Sequence, residues 1–339
     1  MQVAIVGAGI AGLSCATALE AEGCVVTLFD KGKRPGGRLS SLVLGERQWD
    51  FGAPYLVARN RRFADEVARW QQQGFAAGWP DGPMGAMVGV PAMSALVAEQ
   101  CAGRAVHFNA QVQRLEQGLG GWRIVGPEFA EGPFDAVVVA VPAEQAAALL
   151  SLHDLRLAGE AAAVRSAPCW TTMVAFAEPL PQAPAYVRDA PAIAWAAPGR
   201  GAAADRCWVI QADPHWSRIH LEETPEVIAP LQLEALAAQL GALPAPEFLK
   251  AHRWRYARPV MSRELLAWNA QIRLGACGDW CAGQGIEAAW LSGLRLAAAM
   301  GEGLRQSPAA ASAAQARPPL SSAAASSRSA SSAAAGDQA

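Results

Sequence analysis

The chain has 339 residues, 52% of them hydrophobic and 17% charged, with a formal net charge of -2 at pH 7. That length leaves room for two domains and a large core, and the near-neutral balance gives no electrostatic reason to expect nucleic acid. Seven cysteines scattered through apolar contexts argue against a disulfide framework, while the lack of a basic leader or of about 18 continuous apolar residues points to a cytoplasmic protein without a membrane span.

The first predicted element is a short apolar strand over 3–6, which runs directly into Gly7-x-Gly9-x-x-Gly12. Helical spacing then carries Leu13, Ala16, Leu19 and Ala21, Gly23 ends the helix, and a second strand over 25–29 stops at Asp30. Each part has a mechanical reason in a dinucleotide site. Gly7 permits a tight turn, Gly9 lets backbone approach a pyrophosphate, and Gly12 lets helix and strand pack closely. The amides that open the helix, at Ile10 and Ala11, face phosphate, and Asp30 accepts from the ribose hydroxyls.

The segment after Asp30 reads KGKRPGGR, and it resembles the second signature of the FAD-binding flavoproteins that include the amine oxidases. Gly36 and Gly37 keep backbone clear of the diphosphate, while Lys31, Arg34 or Arg38 offers charge. FAD is therefore the expected cofactor. No residue stands out as an attachment point, so it is expected to be held non-covalently, with Cys277 and Cys281 the residues that keep the covalent alternative open.

Strand-like segments follow over 39–44 and 48–57, the second carrying Gly52, Ala53 and Tyr55. Asn60 is suited to cap a helix through Phe63, Val67 and Trp70. Arg59, Arg61 and Arg62 cluster at its start, where positive charge opposes the helix dipole. They are either substrate-phosphate contacts, together with Tyr55 on the substrate side, or a solvated basic turn. Pro91 is expected to open another helix containing Met93, Leu96 and Val97. Strands are expected over 106–109, 111–116, 122–125 and 136–141, the last a continuous apolar run suited to a strand buried on both faces.

Beyond residue 169 the pattern suggests a mixed antiparallel sheet, with strands over 170–176, 193–197, 208–212 and 248–254 and one helix over 225–240. Many of the twelve tryptophans fall here, including Trp170, Trp195, Trp208, Trp216 and Trp254. Singly they suit core packing; as a group they are compatible with a wall over a planar ring system. From residue 307 the chain is almost wholly Ala, Ser, Pro and Gln, and is read as a disordered tail over 307–339.

Leu274 to Met300 reads LGACGDWCAGQGIEAAWLSGLRLAAAM, a strand, a glycine-rich turn and a helix. This is similar to the closing flavin motif of the same superfamily. The resemblance implies that Gly278 and Asp279 meet the ribityl chain or pyrophosphate, and that the amides near Gly285, Ile286 and Glu287 face the flavin edge that becomes negative on reduction. Glu287 can instead be only a helix-start acid. Val112 lies where such domains usually touch adenine, and Gly52 and Ala53 are further expected cofactor contacts.

The whole set, DKGKRPGGRLSS, DFGAPYLVARNRRF, VGVPAMSAL, HRWRYARP and CGDWCAGQGIEAAWLSG, resembles the bacterial renalase-like flavoproteins. Departures fall at Pro54, at Ala86-Met87 and at Gln284-Gly285, and the segment after Trp79 is short. The resemblance implies an α/β fold of the glutathione-reductase and amine-oxidase type. It joins an FAD-binding Rossmann-like domain (1–56, 86–165 and 259–306) to a smaller mixed antiparallel-sheet substrate domain (57–85 and 166–258).

It also implies a reaction. Isomers of NAD(P)H with hydride at ring position 2 or 6 pass it to flavin N5, and oxygen reoxidises the flavin to give hydrogen peroxide and NAD(P)+. A dihydropyridine needs no base, so orientation carries much of such a reaction. The expected partners are thus a dinucleotide substrate and O2. His252, Tyr256 and Trp280 are the pocket candidates, each with ordinary packing as the rival. Many amine oxidases hold a lysine beside N5, whereas the lysines here are Lys31, Lys33 and Lys250. An amine, polyamine or porphyrinogen oxidase and a non-catalytic flavin redox sensor are the alternatives. No metal is expected, because Cys277 and Cys281 have no companion cluster.

Overall fold

The computed structural model describes residues 1–180, 183–260 and 264–305; the expected tail over 307–339 lies outside them. Its centre is a six-stranded sheet, ordered Ala267–Asn269, Leu274–Ala276, Ala136–Val139, Gln2–Val6, Val25–Phe29 and Ala105–His107. All pairings are parallel except that of the edge strand Ala267–Asn269. Residues Ala136, Val137, Val138 and Val139 are fully buried, as a strand covered on both faces must be. The first helix, Ile10–Ala21, leaves the end of the central strand at the glycine turn.

Two glycines there answer to close contacts. Gly7 has φ +110°, and a Cβ on it would lie 2.5 Å from the Ala140 carbonyl oxygen; a Cβ on Gly12 would overlap Gly7 O. The closing helix, Ile286–Arg305, crosses the first helix at a third such point. Ser14 Oγ donates to Trp290 O at 2.8 Å, and a side chain at Gly293 would run into Ser14 and Ala11.

A second, antiparallel sheet of five strands runs Val187–Ala190, Ile193–Pro198, Cys207–Ala212, Ser166–Phe176 and Pro246–Pro259. The helix Pro225–Leu240 covers it, packing Leu236 against Val174, Phe176, Trp208 and Ile210. A three-stranded meander, Arg114–Gly118, Gly121–Val125 and Ala130–Phe134, and two short hairpins complete the fold. Residues Met1–Gly301 form one compact unit. The protein is thus α/β, a Rossmann-like sheet joined to a separate antiparallel one.

Several expected elements change. Of the segment 48–57 only Gln48 and Trp49 are strand, within Arg47–Trp49, and residues beyond them run irregularly to a bridge between Leu56 and Met87. Only Leu42–Leu44 of 39–44 is strand, after a single 3-10 turn. Pro91 does not open a helix, which begins at Ala95. Ahead of it, Met93 N donates to Asp50 Oδ1 and Ser94 N to Ser41 Oγ, so these amides serve a distant segment. The strand Pro246–Pro259 is longer than its apolar core because it pairs along almost all of Ser166–Phe176.

Candidate functional site

The two glycine segments meet at the end of the parallel sheet. A Cβ on Gly37 would lie 3.7 Å from Gly9 Cα, while nothing lies within 4 Å of a Cβ on Gly9 itself. Gly9 begins the first helix without any side-chain cap, so the opening amides of Ile10, Ala11 and Gly12 lack the intrahelical acceptors that later turns enjoy. Open space facing uncapped amides is the shape a pyrophosphate fills. Asp30 is positioned beside it, its carboxylate accepting from Ala8 N and from Gly32 N, each at 2.7 Å. Ala110 N bonds Asp30 O at 2.8 Å, which brings the loop carrying half-buried Val112 to the same tip. Lys31 and Arg34 are exposed at its rim.

Arg38 and Asp279, both expected at the cofactor, lie side by side. They bond each other, Nη1 to Oδ2 and Nη2 to Oδ1, both at 2.7 Å, and Arg38 Nη1 also donates to Ala257 O at 3.1 Å. The pair ties the second glycine segment to the closing motif. Gly52 and Ala53 join them, since Ala53 N donates to Arg38 O at 2.8 Å and Gly52 N to Ser40 O at 3.3 Å. Gly283 and Gly285, at φ +116° and +98°, make the turn that launches the closing helix at Ile286.

Glu287 is more than a helix-start acid. Its Oε1 accepts from Arg59 N at 2.7 Å and Asn60 N at 2.6 Å, while Asn60 Oδ1 caps Arg61–Gln72 by accepting from Arg62 N. One carboxylate therefore serves the starts of two helices. The side chains of Arg59, Arg61 and Arg62 are exposed there.

Beside residues 50–55 lies a small, open cleft lined by Asp50, Pro54, Trp79, Trp195, Gly199 and Arg200 among others. Tyr55 and Trp79 stand 5.4 Å and 5.8 Å from Trp195, ring centre to ring centre, and Tyr186 stacks on Trp195 at 4.7 Å. Arg200 lies over the Trp79 ring at 4.9 Å and donates from Nε to Asp50 Oδ2 at 2.9 Å. Burial pushes the Asp50 carboxyl above its usual range, against the pull of Ser41, Met93 N and Arg200. Tyr55 and Trp195 were legible as candidates. Trp79, Tyr186, Arg200 and Asp50 were not, for they come together only through the hairpin at 76–89 and the edge of the second sheet.

The three catalytic candidates separate. His252 is packed between Phe51 and Trp254, at 5.1 Å and 4.4 Å, and burial, then Lys250, lowers its pKa. Tyr256 sits where the register of its strand shifts, between the pairs made by Trp254 and Arg258. Trp280 is packed in the core, 2% exposed, and its indole N–H donates to Val141 O at 3.1 Å. Cys277 and Cys281 lie in the core, and burial holds the Cys281 thiol well above its ordinary range, so neither is presented for attachment. Among the described residues, no group of three or more His, Cys, Asp or Glu gathers to hold a metal, and no helix is long and apolar enough to cross a membrane.

Residues 64–301 match the family of flavin containing amine oxidoreductases, and residues 5–69 match an NAD(P)-binding Rossmann-like domain. Among solved structures, a candidate protoporphyrinogen oxidase from Exiguobacterium sp. 255-15 superposes with a TM-score of 0.71 at 13% identity, over 89% of this chain and 98% of that one. Cyclohexylamine oxidase from Brevibacterium oxydans IH-35A gives 0.68 at 12% identity, over 90% and 99%. At these identities the likeness is one of fold. The phytoene desaturase (neurosporene-forming) of Rhodobacter capsulatus is 40% identical over 57 residues, which are 17% of this chain and 11% of that protein. The chain thus spans about a tenth of that curated relative. Together with the glycine cradle, the family match makes FAD the cofactor.

Proposed function

Because the chain belongs to the flavin containing amine oxidoreductases, whose pattern covers residues 64–301, we propose that it is an FAD-dependent oxidase of 2- or 6-dihydro isomers of NAD(P)H. The observation that carries this reading is the cleft beside residues 50–55. Its lining includes the rings of Trp79 and Trp195, with Tyr55 packed against Trp195, and its charged groups are Arg200 and Asp50. Aromatic surfaces of this kind suit contact with a planar ring system.

In this reading the parallel sheet holds the cofactor and the antiparallel sheet supplies the substrate wall. Gly9, Ile10, Ala11, Gly37 and Asp30 would hold the pyrophosphate and ribose, and Gly285, Ile286 and Glu287 the flavin end. Bound FAD supplies the acceptor for the two electrons of the substrate hydride, which pass with two protons to O2 as H2O2 while the substrate leaves as NAD(P)+. The protein's own task is orientation. The ring nitrogen of a dihydropyridine drives hydride departure, so no general base is required. His252, half-buried and held toward its neutral form, packs between Phe51 and Trp254 and has no proton to shuttle in this reading.

The amine-oxidase alternative has one observation behind it, since aromatic rings also attract alkylammonium ions. Arg200 already occupies the face of Trp79 and opposes a second cation there. Lys31, Lys33 and Lys250 are all exposed, so none stands buried in a pocket. The test is anaerobic: the purified flavoprotein is mixed with each dihydro isomer of NADH and with ordinary NADH. Rapid loss of flavin colour with an isomer alone, then peroxide on admitting air, is the expected result; no colour loss with any dihydronicotinamide would overturn the reading.

A further inference from the structure

Two consecutive peptide units, one linking Phe51 to Gly52 and the next linking Gly52 to Ala53, are each held at both ends. Their N–H groups face the second glycine segment: Gly52 N donates to Ser40 O at 3.3 Å and Ala53 N to Arg38 O at 2.8 Å. Their carbonyls face the antiparallel sheet. Trp254 Nε1 donates to Phe51 O at 2.9 Å, and the Gln211 side-chain amide donates to Gly52 O. A carbonyl oxygen only accepts, so it is the NH2 group of Gln211 that meets Gly52.

Gly52 has no room to move between these ends. A Cβ on it would overlap Arg38 O, so its backbone lies directly against the glycine segment. Gln211 is 4% exposed and belongs to a rank of four residues, Trp195, Gln211, Thr171 and His252, paired across neighbouring strands. Residues paired in this way share one face of a sheet. His252 in that rank meets the Phe51 ring at 5.1 Å, centre to centre, so this face fronts residues 51–53. On the other side, the glycine segment leads to the cradle. A Cβ on Gly37 would lie 3.7 Å from Gly9 Cα, and Arg38 is bonded to Asp279 of the closing motif.

We propose that Gln211 and Trp254 are positioning residues for the cofactor, acting through Gly52 and Ala53. They fix the tilt of two peptide planes whose opposite ends engage Arg38 and Ser40, beside the cradle that receives FAD. A peptide fixed at both ends has no freedom to turn, so FAD meets a wall that needs little further ordering. The inference rests on FAD as the cofactor and is independent of which substrate the flavin oxidises.

Losing a buried amide from the sheet also costs stability, so the test includes a matched loss on the far face. Gln232, fully buried in Pro225–Leu240, donates from Nε2 to Trp170 O at 3.4 Å and Ile210 O at 3.3 Å. Its Oε1 accepts from Thr172 Oγ1 at 2.6 Å. Gln211→Met and Gln232→Met each keep the length of the side chain and remove its amide. The flavoproteins are compared by FAD dissociation constant from equilibrium dialysis, by visible circular dichroism of the bound flavin, and by thermal midpoint. Both variants should unfold earlier than wild type. Gln211→Met alone should bind FAD about tenfold more weakly, the scale of re-ordering one released residue, and alter the flavin dichroism. Trp254→Phe keeps a ring, removes the donor to Phe51 O and should give the same flavin signature; it decides the matter if Gln211→Met does not fold. Wild-type FAD affinity and dichroism in Gln211→Met, or in Trp254→Phe standing in for it, overturns the positioning role. Equal flavin changes in Gln232→Met overturn it too, since any weakening of the sheet would then suffice. Substrate oxidation is a separate readout: wild type that turns over no dihydronicotinamide sinks the oxidase reading, while the FAD measurements decide the role of Gln211 and Trp254.

Discussion

Arg38 and Asp279, 241 positions apart, bond each other through both guanidinium NH2 groups and both carboxylate oxygens at 2.7 Å. Asp279 is almost fully enclosed, with its side chain 7% exposed, while Arg38 is 32% exposed. The pair staples the second glycine segment to the strand, turn and helix that close the chain's fold, holding the two segments together. Arg38→Gln leaves an enclosed carboxylate whose further partner among the described residues is the Trp280 amide. We expect a loss of about 1–3 kcal/mol in urea unfolding, discounted for the exposure of the arginine. Flavin content after purification should fall in both Arg38→Gln and Asp279→Asn, and a double-mutant cycle should show the two effects to be strongly non-additive. Simple additivity would mean the pair is incidental.

Glu287 makes a second long-range tie, and its loss should read differently. Its carboxylate takes two backbone N–H groups, at Arg59 and Asn60, and lies in the first turn of its own helix. Glu287→Gln keeps one acceptor oxygen but removes the charge that favours both helix starts. The expected cost is about 1 kcal/mol in the thermal unfolding of the flavoprotein, diminished at high salt by screening of the exposed part. A salt-independent loss would show that shape, not charge, is what Glu287 contributes.

The strand, glycine turn, helix and second strand over the first thirty residues were legible because every determinant lies within a few residues of its partner. The helix Pro225–Leu240 was legible for the same reason, with a proline at its first position and apolar residues at helical spacing. Val187–Ala190 carries no apolar alternation, since its middle residues are exposed, and only pairing with Ile193–Pro198 makes it a strand. At the site, the glycines and Asp30 announced themselves. The Arg200 to Asp50 bond spans 150 positions, and nothing near either residue names the other. Of the two readings open for Trp280, pocket or packing, its burial over Gly278 accords with packing.

Asp50 and His252 should impose opposite slopes on stability against pH. Burial raises the Asp50 carboxyl, so the fold prefers its protonated form. That contribution is fully present below the unfolded value of about 4 and is lost as pH rises through the raised folded value. Burial, followed by Lys250, lowers the His252 imidazole, so the fold prefers it neutral. Its contribution is complete above the unfolded value of about 6.5 and is lost as pH falls through the lowered folded value. Thermal midpoints across roughly pH 4 to 8 should therefore lose their decline below about 6.5 in His252→Phe, and flatten between acid and neutral pH in Asp50→Asn. Profiles parallel to wild type would assign both shifts to groups other than these.

Gly82 offers a way to move the aromatic wall without touching it. The residue lies in the hairpin loop beyond Ala76–Gly78, where Gly82 N donates to Trp79 O at 3.1 Å. A Cβ at Gly82 would lie 2.6 Å from the Trp79 indole, closer than carbon atoms approach, so the ring must turn away. The loop is solvent-facing and its strands keep their pairing, so Gly82→Ala should cost under about 1 kcal/mol of stability. The displaced ring would release the face on which Arg200 rests, and with it the fixed plane of the guanidinium. Orientation in a cleft is sensitive to shifts of about 1 Å. We therefore expect kcat/KM for a dihydronicotinamide isomer to fall about tenfold or more with flavin content unchanged. Gly82→Ala activity equal to wild type would place the reacting ring away from Trp79, and would direct attention to the Phe51 and His252 side of the second sheet.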